Sequence, residues 1–226
     1  MGFQESALPR AKRNYAIGYA WHITHRCHDR SFLLRFQKDR SRWRYWLFQA
    51  RKRYGLCVLN YIVTSNHIHL LVYEHGRGSI ARSMQLIAGR VAQEYNQRKG
   101  RRGAFWEDRY FATAVATDEH LLECLVYIDL NMVRAGVVSH PSQWPTCGFN
   151  EIQSPPVRYR VIDMSALTSL TGVVADQSFR SQHRAWVERK LEQDCLDREA
   201  CWTENDAVGS ERYRKEFLQR KASLRQ

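Results

Sequence analysis

Two strand-like runs, Cys57 to Thr64 (CVLNYIVT) and His67 to Tyr73 (HIHLLVY), are separated only by Ser65 and Asn66, and this constrains the fold more than any other feature. Both runs are rich in β-branched and apolar residues, and Ser-Asn suits a tight turn, so the pair predicts a β-hairpin. Strand and helix periodicities alternate around it. YAWHITH (Tyr19 to His25) reads as a strand ended by the turn-like His28-Asp29-Arg30-Ser31. Between Asp39 and Tyr54, the residues Trp43, Trp46, Leu47, Ala50 and Tyr54 recur at spacings of three and four, an amphipathic helix closed by Gly55. Beyond the hairpin, Ser79 to Arg98 carries Ile80, Met84, Ile87, Val91 and Tyr95 on one helical stripe, with Ser79 as N-cap. A basic glycine loop (Lys99-Gly100-Arg101-Arg102-Gly103) follows, then a loop and strand from Phe105 to Ala116. A third helix runs from about Asp118 to Ala135, capped by Thr117 or Asp118 and closed by Gly136. The order β-α-β-β-α-β-α predicts an α+β fold: a ferredoxin-like β-α-β-β-α-β antiparallel sheet of four strands, helices on one face, and one further helix. The other face or an edge is left for a ligand.

Pro141, Pro145, Pro155 and Pro156 interrupt regular structure and place a boundary near residue 150. Three segments result: a flexible basic arm over 1–14, a main domain over 15–150, and a small helical C-terminal extension over 151–226. Helical patterns at about Ser178 to Arg198 and Ser210 to Leu224, anchored by Phe179, Trp186, Leu191, Phe217 and Leu218, make up the extension. The 226 residues hold 35 Lys and Arg against 23 Asp and Glu, a net charge of +12 that points to a polyanionic partner. Seven Trp and eleven Tyr among the arginines favour nucleic acid over a membrane surface, because aromatic faces stack on bases. No apolar run approaches the roughly 20 residues of a membrane span, and no signal pattern opens the chain. The six cysteines are scattered, with no Cys-x-x-Cys pair. A cytoplasmic chain with reduced thiols is expected.

Chemistry concentrates at two places. His67 and His69 lie two apart on a strand, so both imidazoles project to one side, a metal half-site; the plainer reading is a pair of half-exposed strand histidines. On the third helix, Leu121, Leu122, Leu125, Val126, Ile128, Met132 and Val133 leave little polar circumference, yet Glu123, Tyr127 and Asn131 recur every four residues, with Arg134 beside them. A nearly buried helix keeps polar groups only where they find partners. Tyr127 is a candidate nucleophile towards phosphorus. Its phenol is protonated at neutral pH, so it needs a metal-activated or electropositive phosphodiester, which the histidine pair and the arginines can provide, with the Asn131 carbonyl oxygen, one turn on, able to complete a metal shell. The alternative is that Tyr127 and Asn131 simply hydrogen-bond to the sheet. Candidate DNA contacts are Arg10, Lys12 and Arg13 in the arm, Arg51, Lys52 and Arg53 closing the first helix, and Arg98, Lys99, Arg101 and Arg102 at the glycine loop, with Arg109 and Arg134 nearer the tyrosine. Each cluster is equally readable as a solvated face. His22 and His25 read as sheet or DNA-contact residues, Trp106 as core or base-stacking, Tyr110 as a packing residue and rival nucleophile, and Glu107 and Asp108 as partners for arginines.

The strings NHIHLLV (Asn66 to Val72), FWEDRY (Phe105 to Tyr110) and YIDLNMVRAGVV (Tyr127 to Val138), in that order, resemble the HUH-type single-tyrosine transposases, and among them the REP-associated tyrosine transposases. WPTCGFNEIQ (Trp144 to Gln153) and WTENDAVGS (Trp202 to Ser210) are similar to tail segments of that group. The resemblance implies that His67 and His69 bind a divalent metal, Mg²⁺ or Mn²⁺, with Asn131 as third ligand. It implies that Tyr127 attacks single-stranded DNA at palindromic, REP-like hairpins, leaving a 5′-phosphotyrosine and a free 3′-hydroxyl that later rejoins, with no nucleotide cofactor. Relatives work as monomers or as swapped homodimers. One position departs from the family pattern: members commonly carry Asn-Pro-Val-Arg-Ala after the tyrosine, and Met132 stands where the proline would be. The expectation is a straighter helix that shifts Asn131. Two other functions compete, a non-catalytic, domesticated hairpin-binding regulator and a replication-initiator or relaxase-type nuclease. The intact histidines and Tyr127 argue against the first; the short length and the lack of a second nearby tyrosine argue against the second.

Overall fold

The computed structural model describes residues 15–76, 78–117, 119–173, 176–193 and 196–223. The basic arm with Arg10, Lys12 and Arg13 lies outside the described residues, as does Asp118. Strands β1 (Ala20–Arg26), β2 (Cys57–Val63), β3 (His67–Tyr73) and β4 (Phe111–Val115) alternate with helices α1 (Gln37–Tyr54), α2 (Ser79–Lys99) and α3 (Glu119–Asp129) in the expected order. They pair antiparallel in the order β2-β3-β1-β4. That is the split β-α-β-β-α-β arrangement, in which each helix crosses over to a parallel strand two places away. Gly55 ends α1 because its left-handed φ of 66° turns the chain while its N–H donates to the Arg51 carbonyl.

Helices cover both faces of the sheet, not one. Tyr61 on β2 accepts a hydrogen bond from Arg44 of α1, and Trp106, which stacks on His25, donates to the Ala88 carbonyl of α2. From the opposite face Asn60 donates to the Leu125 carbonyl of α3. Every residue of β2 is buried, which fits a strand covered on both sides and not one with a wet face. CVLNYIV shows little alternation for the same reason.

The outer edge of β2 is capped by the chain that follows the tyrosine helix. Trp144 donates its indole N–H to the Val63 carbonyl at 2.9 Å, and Cys147 bridges Ile62. This segment leads into α5 (Gly148–Gln153), reached after the short α4 (Asn131–Arg134). Gly148 must be glycine: a Cβ there would lie 1.9 Å from the Asn60 Oδ1 and 3.0 Å from the Tyr61 nitrogen.

Residues beyond 150 form α6 (Met164–Thr171), α7 (Asp176–Glu192), α8 (Cys201–Glu204), the two-residue β5 (Ala207–Val208) and α9 (Glu211–Ser223). The sequence shows the two longer helices, but β5 is too short to have a period, and it pairs parallel to β4, making a mixed sheet of five strands. Buried Phe179, Val187 and Phe217 anchor the tail helices. His183 of α7, fully buried, bonds Asp129 at the end of α3 at 2.7 Å, and Asp129 also accepts from Asn60 at 2.9 Å.

Candidate active site

The histidine pair opens β3, where the hairpin turn fixes it. Thr64 Oγ1 accepts from the backbone nitrogens of Asn66 and His67 and donates to the His67 carbonyl at 2.8 Å. Asn66 donates its amide N–H to the Arg30 carbonyl at 3.0 Å, which leaves its oxygen facing His67 Nδ1 at 2.8 Å. An amide oxygen only accepts, so Nδ1 carries the proton and Nε2 of His67 keeps its lone pair. His69 lies on the same face, its ring centroid 5.0 Å away.

His69 is held by a chain of contacts that leaves one choice of proton positions. The Trp202 carbonyl only accepts, so His22 Nδ1, 2.9 Å away, donates to it. His22 is fully buried, and burial lowers its pKa to about 4, so it is neutral at neutral pH and its Nε2 is an acceptor. His69 Nδ1, 2.9 Å from that atom, therefore donates, and His69 Nε2 keeps a lone pair that accepts from Asn131 Nδ2 at 3.0 Å. Burial lowers the pKa of His67 to about 4 and that of His69 well below its ordinary value. Both imidazoles are thus neutral, with Nε2 unprotonated, the state in which imidazole binds a cation.

Tyr127 reaches this pair within the same chain. Its ring lies edge-on to His69 at 6.0 Å and to His22 at 6.1 Å, tilted against Trp202 at 5.8 Å. Burial raises its phenol pKa, and the nearby Arg134 and Arg198 guanidiniums oppose the rise. Arg134 stands 4.0 Å over the ring and donates to the Tyr127 carbonyl at 2.6 Å. In a continuous helix that carbonyl would accept from the Asn131 nitrogen. Arg134 takes it, and Leu130, at φ −80° and ψ 3°, interrupts the helix between α3 and α4. The straight helix expected from Met132 is therefore not formed: the break survives without proline, and Asn131 still meets His69.

Other expected members lie elsewhere. Glu123 is exposed; steps of four overshoot a turn by about 40° each, so two of them carry it off the line of Asn131. Tyr110 packs edge-on to His25 at 6.0 Å, and His25 stacks on Trp106 at 4.0 Å and bonds the Asp108 carbonyl, all on the α2 side of the sheet.

The basic clusters separate along the sheet. α1 delivers Arg51, Lys52 and Arg53 beside Cys57, which pairs with Tyr73, the end of β3 away from His67. A seven-residue strand makes that about 20 Å. α2 runs back to the His67 end and delivers Lys99 to Gly103 there, close to the Cys27–Trp106 bridge. There Arg98, in the last turn of α2, pairs with Asp39, Arg101 bonds the Asn96 side chain, and Arg102 is exposed. Arg109 is exposed on the approach to β4, whereas Arg134 is partly buried on Tyr127.

His22 and the Trp202 carbonyl belong to the site and were not among its expected residues. Once β1 is placed beside β3, His22 falls on the face of His69, a signal the strand order carries. A backbone carbonyl leaves no mark in sequence. At the His67 end, Phe32 and Phe36 are 65% and 58% exposed, with Lys99 over the Phe36 ring at 5.5 Å, and Leu34 between them bonds the Ser65 carbonyl of the hairpin turn.

Comparison with known proteins agrees with this architecture. The family model described as Transposase IS200 like matches residues 16–131. No curated protein matches the sequence. Among solved structures, a REP-associated tyrosine transposase bound to a REP hairpin superposes with a TM-score of 0.53 at 20% identity, over 70% of this chain and 96% of that one. A protein of Deinococcus radiodurans R1 described as a transposase is similar over 48% of this chain and 87% of its own, at 16% identity and a TM-score of 0.37. The matched span runs from the start of the sheet to the asparagine beside His69 and takes in more than half of the 226 residues, and the chain belongs to the IS200-like transposase family.

Proposed function

We propose that this transposase cleaves and rejoins single-stranded DNA at hairpin elements of the REP type, with Tyr127 as nucleophile and a divalent cation held by His67 and His69. The observation that carries the reading is one chain setting the Tyr127 ring 6.0 Å from the His69 imidazole, whose Nε2 lies 3.0 Å from the Asn131 side chain. The Tyr127 oxygen attacks the scissile phosphorus, the bond to the 3′-oxygen breaks, and the phenolic proton ends on that oxygen. A 5′-phosphotyrosine and a 3′-hydroxyl result. Attack by a 3′-hydroxyl reverses the step, one phosphodiester exchanged for another, so no nucleotide cofactor enters.

The donor set fits a cation. Two neutral imidazoles are lone-pair donors, and turning the Asn131 amide brings its oxygen to face His69 Nε2, an arrangement that repels unless a positive charge lies between. Among the described residues no three His, Cys, Asp or Glu side chains form a metal cluster, so beyond the two imidazoles a cation would draw on the Asn131 amide, water and the phosphate itself. A cation held there would polarise the scissile phosphate. Imidazole suits Mn²⁺ better than the harder Mg²⁺, and Mn²⁺ is expected to support the faster reaction. Arg134 keeps Tyr127 in place, and Lys99, Arg101, Arg102 and Arg109 supply phosphate contacts at the His67 end, with Arg51 to Arg53 and the arm as outlying ones. Residues 15–150 are assigned to the catalytic domain and 151–226 to its extension, and a cytoplasmic monomer or homodimer is the working form. Tyr127 facing its own His69 favours a monomer that cuts in cis.

The test is a labelled REP-like hairpin incubated with Mn²⁺ or Mg²⁺. A covalent protein–DNA adduct is expected, lost with Tyr127→Phe and with His67→Ala or His69→Ala. One observation favours a non-catalytic hairpin binder instead: Tyr127 is only 5% exposed. Tight hairpin binding with no adduct under either metal would establish that second reading.

A further inference from the structure

Asn131 does not by itself decide which nitrogen of His69 carries the proton. With its N–H towards the ring it supports an unprotonated Nε2, and with its amide turned it supports a protonated one. The second arrangement blocks the atom needed for a cation. What selects between them lies on the other side of the imidazole, where His69 Nδ1 meets His22 Nε2 at 2.9 Å.

His22 in turn has no freedom, because its Nδ1 faces the Trp202 carbonyl. The tail holds that carbonyl firmly. Thr113 of β4 donates its hydroxyl to the Asn205 carbonyl at 2.7 Å and also lies 3.3 Å from the Trp202 oxygen. Ala114 and Ala116 donate to the Asp206 and Val208 carbonyls at 2.9 Å, which pins the segment to the edge of β4. Phe217 of α9 then packs against Trp21 and Tyr19 of the strand that carries His22 or leads into it.

We propose that His22 is a positioning residue for His69, and that the tail segment 202–208 sets it through the Trp202 carbonyl. The acceptor at Trp202 fixes His22 as donor from Nδ1 and acceptor at Nε2, and this fixes the His69 proton on Nδ1 and its lone pair on the site. The tail is thus part of the metal half-site although it contributes no ligand. This rests on the reading of His69 as a metal ligand, but the proton position is a property of the metal-free protein and is measured without metal or DNA.

The experiment is long-range ¹H–¹⁵N NMR of the histidine rings in the full metal-free chain, paired with Mn²⁺ titration calorimetry. The native protein is expected to show His69 protonated at Nδ1 alone. His22→Phe keeps ring bulk but removes the acceptor; it is expected to populate Nε2–H on His69 and to weaken Mn²⁺ binding by about 10- to 100-fold, the usual effect of losing a ligand's outer partner. His22→Gln, whose amide oxygen can reach the position of Nε2, is expected to restore most of both. A native His69 protonated at Nε2, or exchanging between forms, overturns the proposal even if no variant folds. So does unchanged Mn²⁺ affinity in a folded His22→Phe protein. Nδ1–H with no Mn²⁺ binding leaves the proton relay standing and instead removes His69 from the ligands.

Discussion

Tyr127, the proposed nucleophile, sits in surroundings that work against its ionisation. Burial raises its phenol pKa and Arg134 partly offsets this, so the phenolate is scarce at neutral pH and grows about tenfold per pH unit below the pKa. Single-turnover adduct formation is accordingly expected to rise with pH between about 6 and 8, by up to tenfold per unit; a flat profile measured by quenched-flow gels would show that the phenol proton is not lost in the limiting step. Arg134→Met removes the offsetting charge and the bond to the Tyr127 carbonyl. It is expected to slow the adduct at neutral pH by about tenfold, on the order of 1.4 kcal/mol, while hairpin affinity stays within about twofold. Residue identity was legible here: His67, His69, Tyr127 and Asn131 stand out as polar groups on apolar elements, and the structure gathers them. His22 was not, because its meaning depends on which strand becomes the neighbour of β1.

Among the elements, the tyrosine helix shows how a local rule can be right while its consequence fails. Proline breaks helices, yet its absence at Met132 does not restore one, since Arg134 captures the Tyr127 carbonyl and buried Asp129 is tied to Asn60 and His183. Met132→Pro is therefore expected to keep adduct formation within about fivefold and to cost at most ~2 kcal/mol for the lost methionine packing, checked by denaturant titration. Asp129→Ala should cost more, about 3 kcal/mol or above, because it leaves His183 and Asn60 buried without their acceptor. The hairpin, α1, α2 and the strand order followed from periodicity and turn chemistry. β5 did not, being two residues long and held by backbone bonds to β4, and double coverage of the sheet was visible only as weak alternation in β2.

For the whole molecule, three neutral histidines gathered on the α3 side of the sheet make stability depend on acid. His22 and His67 fall to about 4 in the folded protein against an ordinary value near 6.5, and His69 falls further. The unfolded chain binds these protons first, so stability is complete above about pH 6.5 and drains as pH falls towards 4, with fully buried His22 contributing roughly 3 kcal/mol. Melting temperature should drop steadily between pH 7 and 4.5, measured calorimetrically; an unchanged midpoint would mean that the histidines take up protons alike in the folded and unfolded chain. The +12 charge is divided between the ends of the sheet. Charge reversal at Arg101 and Arg102 should weaken hairpin binding and flatten its salt dependence by about 1.4 to 1.8 in log–log slope, whereas reversal at Arg51 and Lys52 should do less. Composition gave that charge its polyanion, but only the fold says which part of it lies beside the histidines.

The proposed reaction requires that Tyr127 become joined to DNA. That requirement is tested most directly by protease digestion of the protein after reaction with a REP-like hairpin and Mn²⁺, followed by mass spectrometry of the nucleotide-bearing peptide. A 5′-phosphate on Tyr127 is expected, absent when the metal is chelated. A phosphate on Tyr110 or any other residue, or cut hairpin with no adduct at all, would contradict it.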